Sequence, residues 1–131
     1  MEPGPELDAL VAERVMGWKR LEDGIKKMDP KNKVVLYTDD EFGVLPSCYP
    51  GPRWSPSTNI AHAWEVVERF GPEWSVEIER WPHRGDKDWA CRMVEFFKDK
   101  PGIKSQAGEL APTAPHAICL AALKAVEGED E

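Results

Sequence analysis

The chain has 131 residues, of which 41% are hydrophobic and 31% charged, a composition that excludes disorder and suffices for one domain with a core needing neither disulfides nor metal. Twenty-four acidic against 17 basic residues give a net charge of −7, which excludes a broad basic face for long nucleic acid but leaves room for a small anion held by local donors. The cysteines, Cys48, Cys91 and Cys119, are three in number and far apart, so neither a disulfide framework nor a zinc site is encoded locally, and a reducing cytoplasm is expected.

The opening residues show neither a basic leader nor an apolar core, and no run reaches membrane-spanning length, so no membrane partner is expected. A first helix is predicted from Pro5 to Met16. Leu7, Leu10, Val11 and Val15 face inward, and Glu6, Asp8, Glu13 and Arg14 face solvent. Gly17 ends it. Residues 20–33 are polar and broken by Gly24 and Pro30, which reads as a turn. Lys33 to Thr38 is β-branched and aromatic and predicts a strand, and Phe42 to Leu45 a further short one.

A second helix is predicted to start at Ser57 or Thr58 and to close at Gly71-Pro72, with Ile60, Ala63, Trp64 and Val67 inward. Trp74 to Trp81 alternates, with Trp74, Val76 and Ile78 on one face and Ser75, Glu77 and Glu79 on the other, as in a half-buried strand. Residues 82–87 read as a hairpin connection into a second strand over 89–97, and residues 98–110 as irregular chain. A third helix opens at Thr113-Ala114-Pro115 with Ile118, Ala121, Ala122 and Ala125 inward. The acidic tail 127–131 is expected to fray. The prediction is a single α+β domain, a layered sandwich of three helices and a three- to five-stranded antiparallel sheet.

The candidate ligand site is the proline-stiffened loop before the second helix. There Arg53 offers a cation, Trp54 a flat aromatic face, Ser57 and Thr58 hydroxyls, and Asn59 the start of a helix whose free N–H groups attract anions. That set suits a phosphate-bearing, base-bearing small molecule, with Arg53 on phosphate and Trp54 stacking. Trp18 and Thr113, also at helix ends, are secondary candidates. The hairpin cluster of Trp81, His83, Arg84 and Trp89 is a further one, although such pairs more often close a hairpin by cross-strand packing. Of the six tryptophans, Trp64 and Trp74 are assigned to the core. His62, His83 and His116 have no metal spacing with the cysteines. Cys91 and Cys119 read as small buried packing residues, and His116 as a solvated helix-start residue. Glu77 and Glu79 read as a solvated face rather than paired carboxylates. No catalytic set, metal site or cofactor is expected.

Three blocks carry a resemblance. Leu7, Asp8, Val11, Ala12, Val15, Met16, Gly17 and Trp18 form the first. Ser57, Thr58, Ile60, Ala63 and Trp64 form the second, and Thr113, Ala114, Pro115, Ala117, Ile118 and Cys119 the third. In this order they resemble the phage ABA sandwich domain, a family of small bacteriophage and prophage proteins, with Asn59 where that pattern usually has aspartate. The resemblance implies an architecture first. By analogy of setting and size with phage proteins that sequester nucleotide immune signals, the expected function is a non-enzymatic, homo-oligomeric anti-defence sponge in the infected host's cytoplasm. Its ligand would be of cyclic ADP-ribose or cyclic oligonucleotide type. The alternatives are an accessory protein anchored on another protein by exposed tryptophans, and a small nucleotide hydrolase.

Overall fold

The computed structural model describes residues 1–20, 36–40, 43–46, 53–80 and 88–128. Its elements in chain order are α1 (Pro5–Arg14), β1 (Lys19–Arg20), β2 (Leu36–Asp40), β3 (Gly43–Pro46), α2 (Ile60–Arg69), β4 (Trp74–Arg80), β5 (Trp89–Phe96), β6 (Ile103–Ala111) and α3 (Ala114–Gly128). The strands form two sheets. In the larger, β4, β5 and β6 are antiparallel neighbours, and in the smaller, β2 pairs antiparallel with β3 and parallel with β1. The chain is an α+β sandwich, as its periodicities predict.

Helix α1 stops earlier than Met16, with Gly17 in the left-handed region at φ +73° just beyond. Leu7, Val11 and Val15 are buried as expected, but so is Asp8 at 2% exposure, which corrects its assignment to the solvent face. Helix α2 begins at Ile60 rather than at Ser57 or Thr58, because Asn59 is its N-cap and accepts the N–H groups of Ala61 and His62. Ala63 and Val66 are its buried residues, with Val67 and Phe70 packed beside them. That stripe is rotated from the predicted one, and Ile60 and Trp64 stand exposed at 52% and 48%. Trp64 is therefore not a core residue.

Strands β4 and β5 pair antiparallel as expected, from Trp74 opposite Glu95 to Arg80 opposite Trp89. Trp74, Val76, Ile78 and Trp89 lie against the core, and Glu77 and Glu79 face out. Strand β6 replaces the irregular segment expected over residues 98–110. Its sequence, IKSQAGELA, has little β propensity of its own, and tertiary pairing with β5 together with burial of Ala107 and Ala111 supplies what local preference does not. The short β1 was likewise unmarked in the sequence.

Helix α3 lies across β5 and β6 and touches both other helices. Its small face, Ala117, Ala121, Ala122 and Ala125, lets it approach closely, while Ile118 fills the centre. Glu127 sits inside this helix, paired with Arg14 of α1, so the helix reaches Gly128, two residues into the tail that was expected to fray. Residues 129–131 lie outside the described residues. No helix among the described residues is long and apolar enough to cross a membrane.

Candidate functional site

In the described part of the loop before α2, residues 53–59, Trp54, Pro56 and Ser57 are buried. Trp54 is 5% exposed, its backbone N–H donates to Val44 O at 2.8 Å, and its indole N–H donates to Glu65 at 2.7 Å. Its ring lies 4.5 Å from that of Trp18, tilted by 48°. A ring packed in this way has no free face for a base, so the stacking role expected of Trp54 is corrected to a core role shared with Trp18. The Arg53 guanidinium donates to Gly43 O at 3.0 Å, which ties the loop to β3.

Ser57 is fully buried. Its N–H donates to Asp8 Oδ1 at 2.8 Å, and its hydroxyl accepts the N–H of Gly4 at 2.9 Å. It cannot bond a ligand's phosphate without breaking the link between α1 and this loop. Asn59 caps the N–H groups that were expected to meet an anion, and both the Thr58 N–H and its exposed hydroxyl turn to Ser55 O, at 3.2 Å and 3.5 Å. Among the described residues, Arg53, Trp54, Ser57 and Asn59 are brought together by internal hydrogen bonds.

Elsewhere, Thr113 Oγ1 accepts the His116 N–H at 3.4 Å, as a first-turn cap does. His116 itself is 6% exposed with its Nε2 2.7 Å from Met1 O, which corrects the expectation of a solvated residue. Trp89 packs against the core with the Arg80 guanidinium 6.0 Å from its ring. Trp81, His83 and Arg84 lie outside the described residues.

Asp8, Ser57 and His62 lie close to one another, yet their bonding is not that of a nucleophile and its base. His62 Nδ1 accepts the Ser55 N–H at 3.0 Å, and Asp8 is bonded to Ser57, not to the imidazole. Burial pushes the Asp8 carboxyl above its ordinary 3.8, against the lowering effect of the Ser57 hydrogen bonds. Burial likewise pushes the Cys91 thiol up to about 12, and that of Cys119 higher still with help from Asp8 and Cys91, so both are inert packing residues. No group of three or more metal-ligating side chains is assembled among the described residues.

A cleft of about 280 Å³ opens where the C-terminal ends of the three helices meet the start of β4, lined by Val15, Arg69, Phe70, Gly71, Trp74 and Val126. Phe70 and Trp74 meet edge to face, their centroids 4.9 Å apart and planes at 66°. Gly17 comes close to the Arg69 side chain, and a Cβ there would lie 3.9 Å from Arg69 Nη2. Arg69 is exposed and has no hydrogen-bond or ion-pair partner among the described residues, whereas the neighbouring Arg14 is paired with Glu127 at the rim. The cleft therefore brings aliphatic and aromatic side chains, with exposed backbone polar groups, beside a guanidinium that has no partner among the described residues. Of its lining, the sequence marks Val15 and Trp74 for packing and Gly71 as a helix stop, and leaves Arg69, Phe70 and Val126 unmarked. The Gly71-Pro72 stop was the available sign of helix ends converging near a tryptophan.

A small α+β sandwich with this element order defines the class. The phage ABA sandwich domain model matches residues 9–123. The chain belongs to that family. It is also similar in fold to a phage protein from Bacillus cereus ATCC 14579 whose crystal structure is known, at 24% identity and a TM-score of 0.53, covering 93% of this chain and 85% of that one. A segment of 48 residues is 42% identical to part of a protein-arginine rhamnosyltransferase of Pseudomonas aeruginosa. That match takes in 35% of this chain and 13% of the relative's length.

Proposed function

We propose that this phage-family protein is a non-enzymatic binding protein that sequesters a small nucleotide-type immune signal, and that its site is the Arg69 cleft rather than the loop before α2. One observation carries the reading: an unpaired guanidinium at the mouth of a cleft walled by Phe70 and Trp74. The flat part of the ligand enters between the aromatic edge, Val15 and Val126, and its phosphate stays at the solvent side on Arg69, against the opposing partial negative charge of the converging helix ends. The volume, about 280 Å³, falls just below the roughly 300–1,000 Å³ usual for ligand clefts. A base with part of its sugar fits, and the rest of a larger messenger would lie outside or against a second subunit. The burial of Cys91, Cys119 and Ser57 supports binding without chemistry.

The test is calorimetric titration with a panel of mono-, di- and cyclic nucleotides, with mass spectrometry of what is released on heating. Intact ligand is expected. Arg69→Ala should weaken binding more at low than at high salt, because an exposed charge contact is screened within about 10 Å at 0.1 M salt. Failure of every nucleotide to bind would end this reading, and an altered ligand would turn it into the hydrolase. A second reading, an accessory protein anchored on another protein, is favoured by the exposure of Trp64.

A further inference from the structure

We infer that the protein self-associates through two unlike patches, the outer ridge of α2 on one copy receiving the β5–β6 hairpin tip of a second. Ile60, Trp64 and Glu68 are spaced four apart, so they form one straight ridge on α2. All three face solvent, and Trp64 makes no ring contact or hydrogen bond among the described residues. Glu65, whose carboxylate holds the Trp54 indole, lies beside them. The ridge is thus two large apolar groups with acidic company.

The hairpin tip has the opposite charge. Phe96 and Ile103 are register partners at the end of β5 and β6, exposed at 43% and 49%. Lys98, Lys100 and Lys104 crowd the same seven-residue stretch of a chain whose net charge is −7. Lys100 rests on the Phe97 ring at 4.3 Å and Lys104 is 3.7 Å from Glu95, while Lys98 has no ion-pair partner among the described residues. The turn is tied by the Phe97 N–H donating to Gly102 O at 3.2 Å, with Gly102 at φ +123°. The Phe96 N–H donates to Glu73 O at 2.9 Å, which fixes the tip beyond the C-terminal end of α2. The patch is therefore preformed, so docking it costs little ordering.

Each patch has what the other lacks: exposed apolar side chains to bury, and charge of the opposite sign beside them. Neither is covered by the described residues of its own copy. In a two-fold dimer each ridge takes the partner copy's tip and each tip the partner copy's ridge, so one interface buries both patches twice.

Sedimentation equilibrium of the full chain tests this, with the thermal melt recorded for every variant to show that the fold is kept. The wild type is expected to dimerise, and more weakly as salt is raised. Trp64→Ser and Phe96→Ser should each weaken association about tenfold or more. Glu68→Lys and Lys98→Glu should each weaken it, and the two combined in one chain should recover most of the loss. A wild type that stays monomeric up to its solubility limit overturns the proposal. So does a dimer unaffected by Trp64→Ser or by Phe96→Ser, or a double charge swap no better than either single. Binding of the tip to anionic vesicles, or of the ridge to another protein, by a monomeric chain would likewise overturn it. Cleft binding by the nucleotide panel is read separately, so the two proposals fail independently.

Discussion

Asp8 Oδ1 accepts the backbone N–H of Ser57 at 2.8 Å across 49 positions of sequence, with both residues buried. This bond, with the Gly4 N–H on the Ser57 hydroxyl, locks α1 to the turn before α2. Removing the carboxylate leaves a buried N–H without an acceptor. Asp8→Ala is expected to lower stability by about 1–3 kcal/mol, read by chemical denaturation. The sign of the pH effect follows from burial, which raises the folded-state pKa of Asp8 above 3.8. The stability contributed by this group is fully present below that value and is lost as pH rises through the raised folded value. The wild type minus Asp8→Asn difference should therefore be most favourable to the wild type in the most acid range and shrink as pH rises. A difference that grows with pH would contradict the assigned cause.

The two tryptophans of the central motif part company. Trp54 is buried against Trp18 and bonded to Glu65, so Trp54→Ala should cost about 3–5 kcal/mol, the usual range for emptying a core aromatic site. Trp64→Ser, at an exposed position, should stay within about 0.5 kcal/mol of wild type. Parallel urea melts of the two variants decide this, and equal losses would refute the rotated helix face.

Asn59 closes the N-terminus of α2 with bonds of 2.9 Å and 3.2 Å to the Ala61 and His62 N–H groups. Asn59→Ala should cost about 1 kcal/mol, whereas Asn59→Asp, which restores the residue usual in the resembling pattern, should hold or slightly raise stability. The check is the midpoint of thermal unfolding for the three chains. A neutral alanine variant would mean that solvent caps the helix equally well.

Both described cysteines should resist alkylation while the protein is folded. Burial of Cys91 and Cys119 keeps the thiolate scarce and the reagent out. With Cys48 replaced by serine, mass spectrometry should find no adduct under native conditions at neutral pH and two in denaturant. Rapid native labelling at Cys119 would show that α3 opens on its own.

Much of the architecture was legible because periodicity reports burial. The alternation of Trp74, Val76 and Ile78 placed β4 and its register partner β5 correctly. The alanine stripe of α3 identified its packed face. The Ser57-Thr58-Asn59 run marked the helix start to within a turn, although which of the three caps it depended on the Asp8 bond pulling Ser57 inside. Strand β6 was missed because its residues have no strong strand preference and are strands by virtue of β5.

The candidate site was the least legible part. Arg53, Trp54, Ser57 and Thr58 are residue types that bind phosphates and bases, and a linear chain does not say whether such groups are spent on one another. The class was readable from the residues alone: an acidic α+β chain with its helices and main hairpin, belonging to the phage ABA sandwich domain family by motifs that turn out to be mostly core. Only the tertiary structure decided that Trp54 and Ser57 are buried, that Trp64 is not, and that Val15, Arg69, Phe70, Trp74 and Val126 share a cleft. The physical reason is that hydrophobic patterning acts between neighbours on one element. Satisfaction of buried polar groups and the enclosure of a cleft are settled between elements distant in sequence, by which donor and acceptor the packing brings within reach.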